Sequence, residues 1–236
     1  MTVRITKPEI NISEKLSELD KPSGVAGESL LRAETPQEAF NLIGAGRKNL
    51  LINGDFQVSQ RGDFTSLASV SGNGYSRVDR WYVNAAGGVS YQHKIDQTLP
   101  NGNVTNTVYQ VQTGTGYTAL GQKVEDLKPL LGKTVTFSFW AKSNINAGFS
   151  YYDGTSQPFG IYLIPDSTWR YYTWTTTLPS TMAQLRPEIW SNAADRPAGS
   201  YYEVAHMQLE LGSVATPFEH RTYGEELALC QRYYQK

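Results

Sequence analysis

An all-β fold, a sandwich or barrel flanked by short helical segments, is what this sequence predicts, and three observations carry the prediction. From Asn49 to Leu211, clusters of Gly, Asn, Pro and Ser recur about every ten residues, the spacing of short strands joined by turns. The segments between them alternate apolar and polar residues, the period of a strand with one buried face. Aromatic side chains are abundant, with 15 Tyr, 8 Phe and 5 Trp against 3 Met, a balance that suits a pleated, half-buried surface.

Residues 1–47 read as an appendage, rich in Glu, Lys, Ser and Pro and without alternation. Thr35-Pro36-Gln37-Glu38 is a capping box with Pro at the first helical position. The helix it starts carries Ala39, Phe40 and Leu42, and Gly44 ends it. Residues 48–219 form the β domain. Its most legible strand runs from Thr134 to Ala141, with Val135, Phe137, Phe139 and Ala141 on the core face. Between Trp169 and Leu178 the alternation groups Tyr172, Trp174 and Leu178; between Tyr201 and Leu211 it groups Ala205, Met207, Leu209 and Leu211. Two sheets packed face to face would bury these sets. Asp79 and Arg80 are expected to pair with each other beside Trp81, with a cation-π contact as the minor reading. In residues 220–236 a second capping box, Thr222-Tyr223-Gly224-Glu225, opens a terminal helix of about three turns carrying Leu227, Cys230, Gln231 and Tyr234.

The formal net charge is −1, which provides no cationic field for a nucleic-acid backbone. No apolar run reaches the roughly 18 residues of a membrane-spanning helix, and the first ten residues lack the apolar centre of a signal peptide. Folding in the cytoplasm without membrane insertion is the expectation. With one cysteine, Cys230, no internal disulfide can form.

Three stretches carry a family resemblance. Asn49-Leu50-Leu51-Ile52-Asn53-Gly54-Asp55-Phe56 resembles the opening strand of bacteriophage tail-fibre and tail-spike jelly rolls, and its Asn-Gly-Asp-Phe also recurs in jelly-roll carbohydrate-binding modules. Val78-Asp79-Arg80-Trp81-Tyr82-Val83 resembles their next strand. Gln208-Leu209-Glu210-Leu211-Gly212, running through Pro217-Phe218-Glu219-His220-Arg221 into Gln231-Arg232-Tyr233-Tyr234, is similar to their closing run. The resemblance implies a jelly-roll β-sandwich on a homotrimeric fibre. Its N-terminal arm would bind other virion proteins through Thr35, Pro36, Glu38, Phe40 and Leu42, and the virion would be assembled in the host cytoplasm. In longer relatives a further domain follows the closing helix, whereas this chain stops at Lys236, an ending that favours a purely architectural capsid, neck or baseplate fibre.

No catalytic motif accompanies these features. His93, His206 and His220 are scattered, and there is no Cys-x-x-Cys pair, phosphate loop or Gly-x-Ser-x-Gly elbow. A glycan-cleaving spike would need two carboxylates across a cleft, such as Asp153 with Asp166 or Glu125 with Asp126, and nothing sets these apart from solvated loop charges. The expectation is a non-enzymatic protein that attaches to host-surface glycans. Sugar binding calls for flat aromatic faces beside amides and carboxylates. The candidates are Tyr151, Tyr152, Trp169 and Trp190, with Asp153, Gln157, Asp166 and Asn192 in the adjoining loops. The competing reading makes these aromatics core or subunit contacts. Jelly-roll binding modules also carry a structural calcium, for which Asn53, Asp55 and Glu210 would supply oxygens. The simpler reading of Asn53-Gly54-Asp55 is a side-chain-stabilised turn.

Overall fold

The computed structural model describes residues 48–62, 65–70, 73–75, 77–85, 88–112, 116–191 and 199–235. The proposed anchoring residues Thr35, Pro36, Glu38, Phe40 and Leu42 lie outside the described residues, as does Asn192.

Among the described residues, twelve strands form two antiparallel sheets of six, a jelly-roll β-sandwich. Numbered along the chain, the first sheet runs in space through β1 (Ala68–Val70), β4 (Val89–Thr98), β5 (Val104–Gln112), β12 (Tyr201–Leu211), β7 (Thr134–Ser143) and β10 (Arg170–Thr177). The second runs through β2 (Gly74–Tyr75), β3 (Tyr82–Ala85), β6 (Thr118–Gly121), β11 (Arg186–Ser191), β8 (Gly148–Tyr152) and β9 (Phe159–Tyr162). Both sheets place late strands between early ones, so the chain crosses repeatedly from sheet to sheet.

The core forms where the two inner faces meet. Phe137 and Phe139 of β7 project from the first sheet onto Phe149 of the second, with ring centroids 5.4 and 4.6 Å apart. Tyr172 and Trp174 of β10 stack beside them, as their alternation predicts. Burying each phenylalanine is worth about 1.5–3 kcal/mol. Polar groups enclosed here pair with one another: Gln110 accepts from the hydroxyls of Tyr91 and Tyr202 and donates to Thr118.

Strand β12 departs from the expected alternation. Three of its steps, Ala205 to Gln208, oppose two on β7, Trp140 to Ser138, so it carries a one-residue bulge. His206, with φ 51°, lies within it. Val204 therefore faces the core before the bulge and Met207 and Leu209 after it, while Ala205 pairs with Trp140 on the outer face.

The bulge receives the opening segment. Residues 51–55 form bends and a turn, not the strand the resemblance implies; Leu50 bonds to Leu209 and Gly54 accepts from Met207. Asn53 takes a left-handed φ of 57°, which asparagine tolerates, and a Cβ at Gly54 would overlap the Met207 carbonyl. The Asn53 side chain donates to the carbonyls of Val58 and Asp79 and accepts from the Val58 amide. The indole of Trp81 donates to the Asn53 carbonyl at 2.8 Å and packs on Phe56. The strand expected from Val78 begins only at Tyr82, because residues 78–81 turn to seat Trp81.

The closing segment locks this arrangement. Arg221 donates to the carbonyls of Leu51 and Asn49, and Glu219 accepts from the Asn49 amide. The terminal helix α1 (Tyr223–Gln231) has the expected capping box, at about two and a half turns. Its Glu226 accepts from the Asn53 amide at 2.7 Å and from Arg221 at 3.0 Å. Leu229 and Cys230 pack on Ile52 and Val58. Asp79 and Arg80 do not pair as expected: Asp79 bonds to Arg61 and Gln60, while Arg80, turned to φ 74°, lies 3.5 Å over the Tyr233 ring.

Candidate functional site

Strand β11 sets the site. Ile189 points into the core opposite Leu120 and Phe149, so its neighbours Arg186, Glu188 and Trp190 share the outer face of the second sheet. Small residues lie on either side of them. Trp190 pairs with Ala119 and Gly148, and Glu188 with Gly121 and Ser150. A Cβ at Gly148 would collide with the Trp190 indole, so the indole lies flat across β8. Its N–H donates to Ser150 Oγ at 2.8 Å. Tyr117 stacks alongside with centroids 6.3 Å apart and planes 24° from parallel, and Tyr162, largely exposed, stands edge-on at 6.3 Å.

Glu188 lies beneath these rings and is 2% exposed. It accepts from the Tyr117 hydroxyl, from Gln157 and from Arg186 Nε, all at 2.8 Å. Burial, followed by the Glu188 charge, pushes the Tyr117 hydroxyl well above its ordinary pKa, so it stays protonated and donates. Gln157 also donates to Ser150. Arg186 lies between two rings, Tyr152 at 4.9 Å and Tyr82 at 5.1 Å. The result is a set of aromatic rings above a hydrogen-bonded polar base on one face of the sheet.

The residues singled out in the sequence divide among several places. Trp190, Tyr152 and Gln157 come together on this face. Tyr151, 3% exposed, points the other way and stacks on Trp174 in the core. Asp153 ties its own turn, accepting from Thr155 and Ser156, and the Ser156 hydrogen bonds hold its pKa below the usual carboxylate value. Trp169 lies just before β10 of the other sheet, where Lys142 of β7 sits 4.8 Å over its ring. Asp166 pairs with Arg170 in the loop before β10, and that bond lowers its pKa. Tyr82, from the Val78–Val83 stretch, joins the face, as do Tyr117, Tyr162, Arg186 and Glu188, which no sequence motif marks. The alternation around Ile189 is the available signal for the last two.

The calcium ligands suggested by the resemblance do not fit a metal. The Asn53 side chain is committed to main-chain partners, and Glu210 to Gln208 and both the amide and hydroxyl of Thr216. That leaves Asp55, which is partly buried, to supply the site alone. Among the described residues, no three His, Cys, Asp or Glu side chains group as a metal site. No helix among them is long and apolar enough to cross a membrane.

No family model matches the chain, and no curated protein matches it. Among solved structures it is similar to the enzymatically active domain of tailspike protein 4 of bacteriophage CBA120, at 14% identity and TM-score 0.44, over 70% of this chain and 21% of that one. It is also similar to a Stig cyclase from Fischerella sp. TAU, at 10% identity and TM-score 0.48, covering 71% of this chain and 98% of that one. The family 11 carbohydrate-binding module of a Clostridium thermocellum cellulase aligns at 16% identity and TM-score 0.38, over 62% and 98%. The chain thus spans 21% of the length of the tailspike chain it matches.

Proposed function

We propose that this chain is a glycan-attachment protein that binds sugars on the outer face of its second sheet and performs no chemistry on them. The observation that carries this reading is the flat Trp190 indole flanked by Tyr117 and Tyr162 above the Glu188–Gln157–Arg186 network. An aromatic plane accepts the apolar face of a pyranose, and polar groups fixed alongside meet its hydroxyls. Both oxygens of Glu188 are held by its neighbours, which suits a positioning role over acid–base work.

The resemblance of the opening and closing runs to phage fibres favours display on a virion, with residues 1–47 bound to other virion proteins and three copies assembled together. Several weak glycan contacts would then add into firm attachment. A second reading is purely architectural. It is favoured by the outer face of the first sheet, where Trp140 packs on the exposed Tyr171 and could equally meet a sister copy.

An array of bacterial surface polysaccharides probed with the full-length protein, alongside whole-cell binding, separates the two. Binding to a defined glycan class supports attachment. A folded, assembled protein that binds neither the array nor host cells would leave the architectural reading.

A further inference from the structure

The polar base of the face is unevenly equipped. Glu188 accepts three hydrogen bonds from its own chain, and Gln157 Nε2 is directed at Glu188, Ser150 and Tyr117. Arg186 differs. Its Nε is held by Glu188, but its two terminal nitrogens have no acceptor among the described residues, and its side chain remains 20% exposed. The rings of Tyr82 and Tyr152 on either side fix the guanidinium plane. Arginine held this way offers a preset pair of parallel N–H donors, which matches a carboxylate better than a single hydroxyl.

The spacing adds a constraint. Arg186 and Trp190 are on the same face of β11, four residues apart, or about 13 Å along the strand. A ligand that spans both positions supplies the stacked ring and the charged group from neighbouring sugars of one chain. On the reading that this face binds glycans, we infer that its ligand is an acidic oligosaccharide whose uronic-acid carboxylate is held by the terminal nitrogens of Arg186 while another ring stacks on Trp190. Glu188 holds the guanidinium in place from its Nε edge, and the two tyrosines keep the salt link partly shielded from water.

The test uses the full-length protein and matched probes: short oligogalacturonates, oligoglucuronates and oligomannuronates, and the same oligomers with their carboxylates chemically reduced to alcohols. Titration calorimetry should show the acidic form bound at least about tenfold more tightly than the reduced form, because the reduced form loses a charge-assisted hydrogen-bond acceptor. Arg186→Lys, which keeps a cation beside Glu188 and so protects folding, should shrink the ratio of the two affinities several-fold. Thermal unfolding of the variant verifies that the fold is intact. Equal affinity for the two forms, or a preference that survives Arg186→Lys, overturns the inference and leaves glycan attachment standing. Binding to neutral array glycans alone does the same. Binding to no glycan at all overturns the inference together with the attachment reading beneath it.

Discussion

In the clasp that joins the opening and closing segments, Glu226 accepts from Asn53, Arg221 donates to Leu51 and Asn49, and Trp81 donates to Asn53, all within one chain. On the outer face of the second sheet the same residue types are arranged differently. There Glu188 is satisfied by its neighbours, but Trp190 and Tyr162 leave ring surface open and Arg186 leaves donors open. Residue type therefore does not separate structural from binding roles in this protein. What separates them is whether a side chain's polar and apolar surface is used up by its own chain.

If that contrast is right, damage to the clasp should cost stability and damage to the face should cost binding. The largest effect is expected from Glu226→Ala, which strands the Asn53 amide and removes a partner of the buried Arg221, lowering unfolding free energy in urea by about 3 kcal/mol. Glycan affinity of the folded fraction should not change. Gly54→Ala drives a methyl group into the Met207 carbonyl and should cost about 1–3 kcal/mol by the same measurement. A Gly54→Ala protein as stable as the parent would break the clasp account.

A subtler effect concerns pH. Burial, then the neighbouring His220 charge, hold the His206 pKa down at about 4, against an ordinary 6.5. Below 6.5 the unfolded chain takes up a proton that the folded chain refuses, so this contribution to stability is complete above 6.5 and declines as pH falls toward 4. Asp55 and Glu226 act in the opposite sense. Desolvation raises their folded pKa values, so protonation in the folded state recovers stability as the pH is lowered through them. His206→Asn keeps a residue that tolerates φ 51° and removes the titration. Its stability should fall less steeply than the parent's between pH 6.5 and 4, as followed by urea unfolding across that range.

Both regions are only partly legible in the amino-acid sequence. The alternation of Val135, Phe137, Phe139 and Ala141 marks the core face of β7, and the Thr222–Glu225 capping box marks the terminal helix. Both are local patterns. Alternation puts Ala205 on the wrong face because the bulge at His206 inserts one residue, and a single insertion reverses the alternation beyond it. Asn49–Phe56 is expected as a strand from its resemblance to phage jelly rolls; in the structure Gly54 instead packs against a long-range partner, the Met207 carbonyl. The binding candidates do not all come together, for two reasons. Tyr151 and Tyr152 are consecutive in one strand and so point to opposite faces, which the sequence does state. That Trp190 lies in the second sheet and Trp169 beside the first, just before β10, depends on the order of strands in space, which no local pattern records.

That separation of the two tryptophans supplies the most direct test of the central claim. Trp190→Ala and Trp169→Ala proteins, each shown to be folded, would be titrated calorimetrically with the glycan that binds the parent best. The account predicts that Trp190→Ala weakens binding by about tenfold or more, or roughly 1.4 kcal/mol, while Trp169→Ala, beside the other sheet, leaves it unchanged. Binding that survives Trp190→Ala and is lost in Trp169→Ala would place the site on the first sheet and contradict the account.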